Sequence, residues 1–188
     1  MKQIIIILVV LFAISCTKNP MVIMKTEIGD IEIELYPEQA PATVTNFLKY
    51  VHEGKYDGSH FYRVVRLDNQ PSNPVKIEVI QGGLEFLTNV DSLPTIEHES
   101  TQKTGIKHLD GTISMARLTP GTASSEFFIC VGRQRELDFN GKRNPDLQGF
   151  AAFGRVTKGM DIVRKIQQSK DTNQYLVKPI KILRVSRL

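Results

Sequence analysis

Between Gly111 and Val131 the chain reads GTISMARLTPGTASSEFFICV, two short β-type runs separated by a stretch with neither helical nor strand period. Ile113 and Met115 alternate with small or polar residues, and Phe127-Phe128-Ile129-Cys130-Val131 is a compact apolar run rich in β-forming side chains. Arg117 to Ser125 between them carries a Pro-Gly turn signal. This pattern predicts two buried strands holding a loop of small residues, a surface on which an extended peptide can be laid. Cys130 lies within the apolar run and reads as a small buried thiol rather than a nucleophile.

The rest of the chain supplies more strands than helices. Met21 to Ile28 and Ile31 to Tyr36 flank Gly29-Asp30, which predicts a hairpin with its turn at that dipeptide. Ile31, Ile33 and Leu35 alternate with Glu32 and Glu34, so the glutamates belong to a wet face and not to an acid-base pair. After Pro37 and Pro41, Val44, Phe47, Leu48 and Val51 recur at helical spacing, with Gly54 as the stop. His60 to Val65 and Lys76 to Ile80 read as strands, Lys158 to Ser169 as a second helix, and Ile180, Ile182 and Val185 as a closing strand with one irregular step. Glu97-His98-Glu99 and His108 fit no metal-ligand spacing and read as solvated loop residues, so no metal and no cofactor is expected. At 188 residues, 41% hydrophobic and 23% charged, one soluble domain is expected. A formal charge of +4 is spread among acidic residues with no basic run, which argues against a nucleic-acid site.

The first residues have a different character. Met1-Lys2 is followed by the apolar run Ile4 to Ile14 and then Ser15-Cys16, the layout of a bacterial export signal. Eleven apolar residues are too few to span a bilayer as a helix. The small residue before Cys16 resembles a lipoprotein processing site, at which Cys16 becomes lipidated; an ordinary secretory signal cut nearby and a buried N-terminal apolar segment are the alternatives. The expected organisation is a signal peptide over 1–15, a lipidated N-terminus and short linker over 16–21, and a domain over 22–188. Such a protein would sit in a bacterial cell envelope, anchored to membrane by lipid. With Cys16 lipidated, Cys130 is the one remaining thiol and no intramolecular disulfide forms.

Phe61-Tyr62-Arg63-Val64-Val65, Gln81-Gly82-Gly83, Leu137-Asp138 and Gly149 to Val156 occur in that order around the central strand-loop-strand. Together these segments resemble the cyclophilins, the peptidyl-prolyl cis-trans isomerases, from about Val22 to Val185. The resemblance implies a mainly β fold, a closed eight-stranded antiparallel β-barrel capped by two α-helices. It implies one monomeric isomerase domain, active on proline-containing peptides and unfolded exported proteins. Rotation about an amide faces a barrier of about 18–20 kcal/mol, and uncatalysed X-Pro exchange takes on the order of tens to hundreds of seconds. A catalyst needs only to bind the twisted bond better than either planar isomer. The prolyl nitrogen regains a lone pair on twisting, so a fixed, charged donor aimed at it is selective for the transition state.

In the family that donor is an arginine, matched here by Arg63; without the resemblance, Arg63 would read as a surface residue on a strand. Gln81 matches the glutamine that orients the arginine and contacts substrate backbone. Phe128, Leu137 and Phe150 match positions lining the proline pocket, and Ala116 a backbone position that pairs with the peptide. Several positions depart from the pattern. Tyr62 replaces a histidine, Glu126 a glutamine, Phe150 a histidine of many members, and Val79 and Glu78 a methionine and a phenylalanine of the pocket. Glu136 stands where cyclosporin-binding members have tryptophan, which implies weak cyclosporin binding. Glu126 is expected near Arg63, either holding the guanidinium or competing for its donors. The connection Arg66 to Val75 is about ten residues longer than in the pattern, and reads either as a surface insertion or as an extension projecting near the groove. Two functional readings follow: an active isomerase, or a catalytically weak domain that binds proline-containing segments as a chaperone or assembly module.

Overall fold

The computed structural model describes residues 18–188, so the leader and Cys16 lie outside the described residues. In chain order the elements are β1 (Met21–Thr26), β2 (Gly29–Leu35), α1 (Pro41–His52), β3 (His60–Val65) and β4 (Val79–Gly83). Then come α2 (Thr101–Thr104), β5 (Thr112–Met115), β6 (Phe127–Cys130), β7 (Ala151–Lys158), α3 (Met160–Gln167), β8 (Asp171–Thr172) and β9 (Tyr175–Arg187). Eight strands form an antiparallel ring in the order β1-β2-β7-β5-β6-β4-β3-β9, closed by pairing of β9 with β1. β8 is a two-residue appendage on β9. The expected closed barrel is therefore present, and closure leaves no long sheet edge open to association.

Its interior is filled from alternate residues of each strand. Phe127 on β6 meets Phe47, Tyr56 and Phe61 edge-on at 5.9, 5.5 and 5.8 Å between ring centroids, and Ile33, Ile80, Ile113 and Phe153 are fully buried beside them. Edge-to-face rings at this spacing add to the stabilisation from burial alone. α1 buries Val44, Phe47 and Val51, as its spacing predicts, and Tyr50 as well, while Leu48 is only partly buried; it ends just before Gly54, whose φ of +63° continues no helix.

Four sequence expectations are corrected. The β1-β2 turn is Glu27-Ile28, because Thr26 pairs with Gly29 and its hydroxyl closes the turn onto the Gly29 carbonyl at 2.6 Å. The predicted strand at Lys76 to Ile80 forms instead over Val79–Gly83. The helix expected over Lys158 to Ser169 is confined to Met160–Gln167, and a third helix, the single turn α2, lies in the loop-rich segment, too short to show a period. The irregular step expected in the closing strand is present, as a bulge at Leu183, since Lys25 faces Arg184 while Thr26 faces Ile182.

The acidic-histidine segment is only partly a solvated loop. Glu97 is exposed as expected, in a surface pair with Lys103, but half-buried His98 meets the Gln148 carbonyl through Nε2 and Glu99 is 2% exposed. The Glu99 carboxylate accepts from Ala42 N at 3.2 Å, Thr43 N at 2.8 Å and the Thr43 hydroxyl at 2.7 Å. α1 has no capping side chain of its own at Ala40, so this distant carboxylate satisfies its first free N–H groups. Glu99→Ala is expected to lower unfolding free energy by about 1–3 kcal/mol, read as a lower urea midpoint at unchanged slope; an unchanged midpoint would show that the cap carries no stability.

Candidate active site

Where β4, β5 and β6 run side by side, residues facing out of the barrel build a second apolar cluster. Phe127 points inward while Phe128 packs outside with Val65, Ile77, Val79, Cys130 and Leu137, and Ala116 and Phe150 lie half-buried against them. Phe150 stands edge-on to Phe128 at 5.3 Å, and its backbone N–H donates to the Leu137 carbonyl at 2.9 Å. The result is a depression of about 290 Å³ with an apolar wall of Ile77, Val79, Phe128, Leu137 and Phe150. Ile77 was not anticipated: β4 begins later than its hydrophobicity suggests, so Ile77 and Val79 face this wall while Glu78 turns away toward Gln167 of α3. Cys130 is completely buried, and burial pushes its thiol pKa far up, as befits an inert packing residue.

Arg63 reaches the mouth of this depression because β3 is bulged. Phe61 faces Gly82 and Arg63 faces Gln81, which leaves Tyr62 without an opposite residue on β4; the ladder to β9 is broken at the same place. The extra residue lets Tyr62 and Arg63 both serve the groove. Arg63 Nη1 donates to Gln81 Oε1 at 2.8 Å, and Nε and Nη2 donate to Gln174 Oε1 at 3.2 and 2.5 Å. Gln81 Nε2 in turn donates to the Tyr62 hydroxyl at 2.7 Å, which donates to Glu126 at 2.5 Å. Glu126 is held from its other side by Leu84 N at 2.6 Å and the Ser125 hydroxyl at 3.1 Å.

Both expected roles of Glu126 toward Arg63 are therefore corrected. Its bonds go to Tyr62, Leu84 and Ser125, and Arg63 forms no ion pair among the described residues; Tyr62 and Gln81 stand between the two charges. Gly83 makes the arrangement possible: a Cβ on it, at φ +151°, would collide with the Glu126 carboxylate. Burial raises the Glu126 pKa despite its three donors, and burial followed by the Glu126 charge raises that of Tyr62, so the tyrosine stays a hydroxyl donor. Burial lowers the Arg63 pKa from its ordinary value.

Gln174 was missed for a clear reason. It and Asn173 are the two central residues of the β8-β9 turn, with φ of +73° and +52°, and an Asn-Gln pair lacks the glycine that marks such a hairpin in sequence. Arg117 was read as loop. Its side chain is 1% exposed, forms a two-point ion pair with Asp146 at 2.7 and 3.0 Å, donates to the Gly149 carbonyl, and lies over the Phe150 ring at 5.1 Å. It also borders a second depression of about 510 Å³, which shares Gln81, Ala116 and Leu118 with the first and includes Tyr62, Glu85 and Glu126. The Ala116 N–H is given to the Glu126 carbonyl at 2.8 Å.

Behind Phe128 lies His108, stacked on it at 5.9 Å and completely buried, not solvated as expected. Its Nδ1 meets Asp138 at 2.8 Å and its Nε2 the Ser114 hydroxyl at 3.0 Å. Burial pulls its pKa down, so the ring remains neutral and the trio serves as polar support for the pocket.

Comparison with known proteins agrees with this architecture. The pattern of the cyclophilin type peptidyl-prolyl cis-trans isomerase/CLD family matches residues 21–187. The chain belongs to this family. It is 41% identical over 152 residues to a peptidyl-prolyl cis-trans isomerase of Acinetobacter baylyi, covering 79% of this chain and 72% of that one. Peptidyl-prolyl cis-trans isomerase A of Dickeya dadantii is 35% identical over 164 residues, covering 86% and 78%. In three dimensions the chain resembles a cyclophilin type isomerase of Cryptosporidium parvum with a TM-score of 0.72 at 22% identity, over 90% of this chain and 98% of that one. The same parasite protein, crystallised in the presence of the dipeptide Ala-Pro, gives a TM-score of 0.69.

Within this cyclophilin two departures from the family pattern, Tyr62 and Glu126, bond to each other. Removing the hydroxyl leaves a buried carboxylate short of one donor. Tyr62→Phe is expected to cost about 1–3 kcal/mol in urea unfolding, and less in a Glu126→Gln background. Equal losses in both backgrounds would mean that the two residues are not coupled.

Proposed function

We propose that this cyclophilin accelerates rotation of X-Pro bonds in unfolded exported proteins, with Arg63 as the donor to the twisted prolyl nitrogen. The reading rests on one observation: a guanidinium held by two neutral amides, Gln81 and Gln174, at the lip of an apolar depression. Neutral acceptors fix its direction without consuming its charge, and they leave donors free for a substrate atom that becomes basic only on twisting. Val79, Phe128, Leu137 and Phe150, with Ile77, would receive the proline ring. Gln81 would touch substrate backbone, and the chain at Ala116, which lines both depressions, would lie beside an added strand. Glu126 would act at one remove, by orienting Tyr62 and through it Gln81.

The test is cis-trans exchange of a short X-Pro peptide followed by NMR, using folded protein lacking residues 1–16. Acceleration is expected in the wild type, about 100-fold less in Arg63→Ala, and an intermediate loss in Gln174→Ala. No acceleration by the folded wild type, with peptide-induced shifts retained, would replace catalysis by a binding role.

Placement in a bacterial envelope, on the periplasmic side, belongs to the same proposal and is supported by the export-type leader and Cys16. Among the described residues no helix is long and apolar enough to cross a membrane. Mass spectrometry of the mature protein is expected to find acyl groups on an N-terminal Cys16; a mature chain starting elsewhere would remove the lipid anchor.

A further inference from the structure

The proline depression has a neighbour on its Arg63 side. This cleft, of about 360 Å³, is bounded by Asn69 to Asn73 of the long β3-β4 connection, by Asn173 and Gln174 of the β8-β9 turn, and by Arg143. Arg63 and Arg143 border both depressions, so the pair stands on the partition between them. The long connection is not a free projection. Arg66 bonds Asp171 and the Gln167 carbonyl, and Gln70, 2% exposed, bonds the Arg66 and Ile77 carbonyls at 2.7 and 2.8 Å. The cleft is thus built on a held loop.

Its charge is unbalanced. Arg143 Nη1 donates to Gln70 Oε1 at 2.9 Å and to the Val75 carbonyl at 2.6 Å, both neutral, and its Nε and Nη2 have no partner among the described residues. The acids nearby are engaged elsewhere. Asp171 and Asp68 pair with Arg66, and the Glu136 carboxylate takes Lys142 N and Arg135. Burial and then the Arg63 charge lower the Arg143 pKa. Such a half-buried pair is completed by an anion, and a planar carboxylate matches the free edge of a guanidinium in two-point geometry.

We propose that Arg143, with Arg63, forms a subsite for a carboxylate carried by the substrate within about two residues of the proline, a reach of about 7 Å along an extended chain. The proposal rests on the proline pocket being where the peptide binds, and it makes this isomerase selective for acidic segments. Specificity would come from the long β3-β4 connection and the β8-β9 turn, which bound the cleft with Arg143, while the bond rotation remains the work of Arg63.

The experiment titrates wild type, Arg143→Gln and Arg143→Lys with matched X-Pro peptides. Asp is placed at each of the two positions before or after the proline, the isosteric Asn peptides serve as controls, and C-termini are free or amidated. Binding is read by NMR shifts and exchange by line shape. At one position at least, Asp is expected to bind about fivefold tighter than Asn, with the advantage reduced by added salt. That preference should fall to about onefold in Arg143→Gln and be partly kept in Arg143→Lys, which retains charge if the glutamine variant loosens its loop. A preference that depends on the free C-terminus alone would assign the subsite to a chain end rather than a side chain, still a carboxylate. Equal binding of Asp and Asn peptides by wild type, or a preference untouched in Arg143→Gln, would overturn the subsite. Because binding is read separately, absence of exchange would count against the isomerase proposal without deciding this one.

Discussion

One extra residue in β3 sets the geometry of the site. In a regular ladder Tyr62 and Arg63 would face opposite sides of the sheet, and one of them would be lost to the interior or to solvent. The bulge opposite Gln81 and Gly82 gives both to the groove, and the bonds from Arg63 through Gln81 and Tyr62 to Glu126 follow from that placement. Arg63 only gives, Gln81 and Tyr62 both give and receive, and the last group only receives: a carboxylate anchored by a backbone N–H and a serine hydroxyl. A buried chain of this kind is stable only when every member is satisfied.

The barrel strands serve two clusters at once. On β6, Phe127 locks α1 and the aromatic interior while Phe128 floors the proline depression; on β4, Ile80 points in while Val79 and Gln81 point out. The groove is therefore as rigid as the core behind it, and His108 with Asp138 and Ser114 fills the space behind Phe128 with paired polar groups. Arg117, pinned by Asp146 and the Gly149 carbonyl, does the same for Phe150 from the solvent side.

Substitutions that look damaging when taken singly lose that character when placed in space. A carboxylate at position 126 threatens Arg63 only if the two touch; with Tyr62 in place of an imidazole, the carboxylate finds a hydroxyl donor and stays away from the guanidinium. A glutamate at position 78 removes an aromatic from the pocket only if it faces the pocket; β4 starts at Val79, and Ile77 supplies the apolar wall.

Much of this was legible in the chain itself. Period-two alternation at Ile31, Ile33 and Leu35, the Phe127-Phe128 run and the helical spacing of Val44, Phe47 and Val51 report burial on one face, which is a local property. The ordered motifs around Arg63, Gln81, Phe128 and Phe150 carried the family, and with it the barrel. What sequence could not report was anything made by residues far apart in number. Glu99 caps a helix more than fifty residues away, Gln174 holds Arg63 from the far end of the chain, and Arg143 meets Gln70 of the long β3-β4 connection. A side chain's type is local, but the partner that decides whether it is a cap, a clamp or an unpaired charge is brought to it only by closure of the barrel.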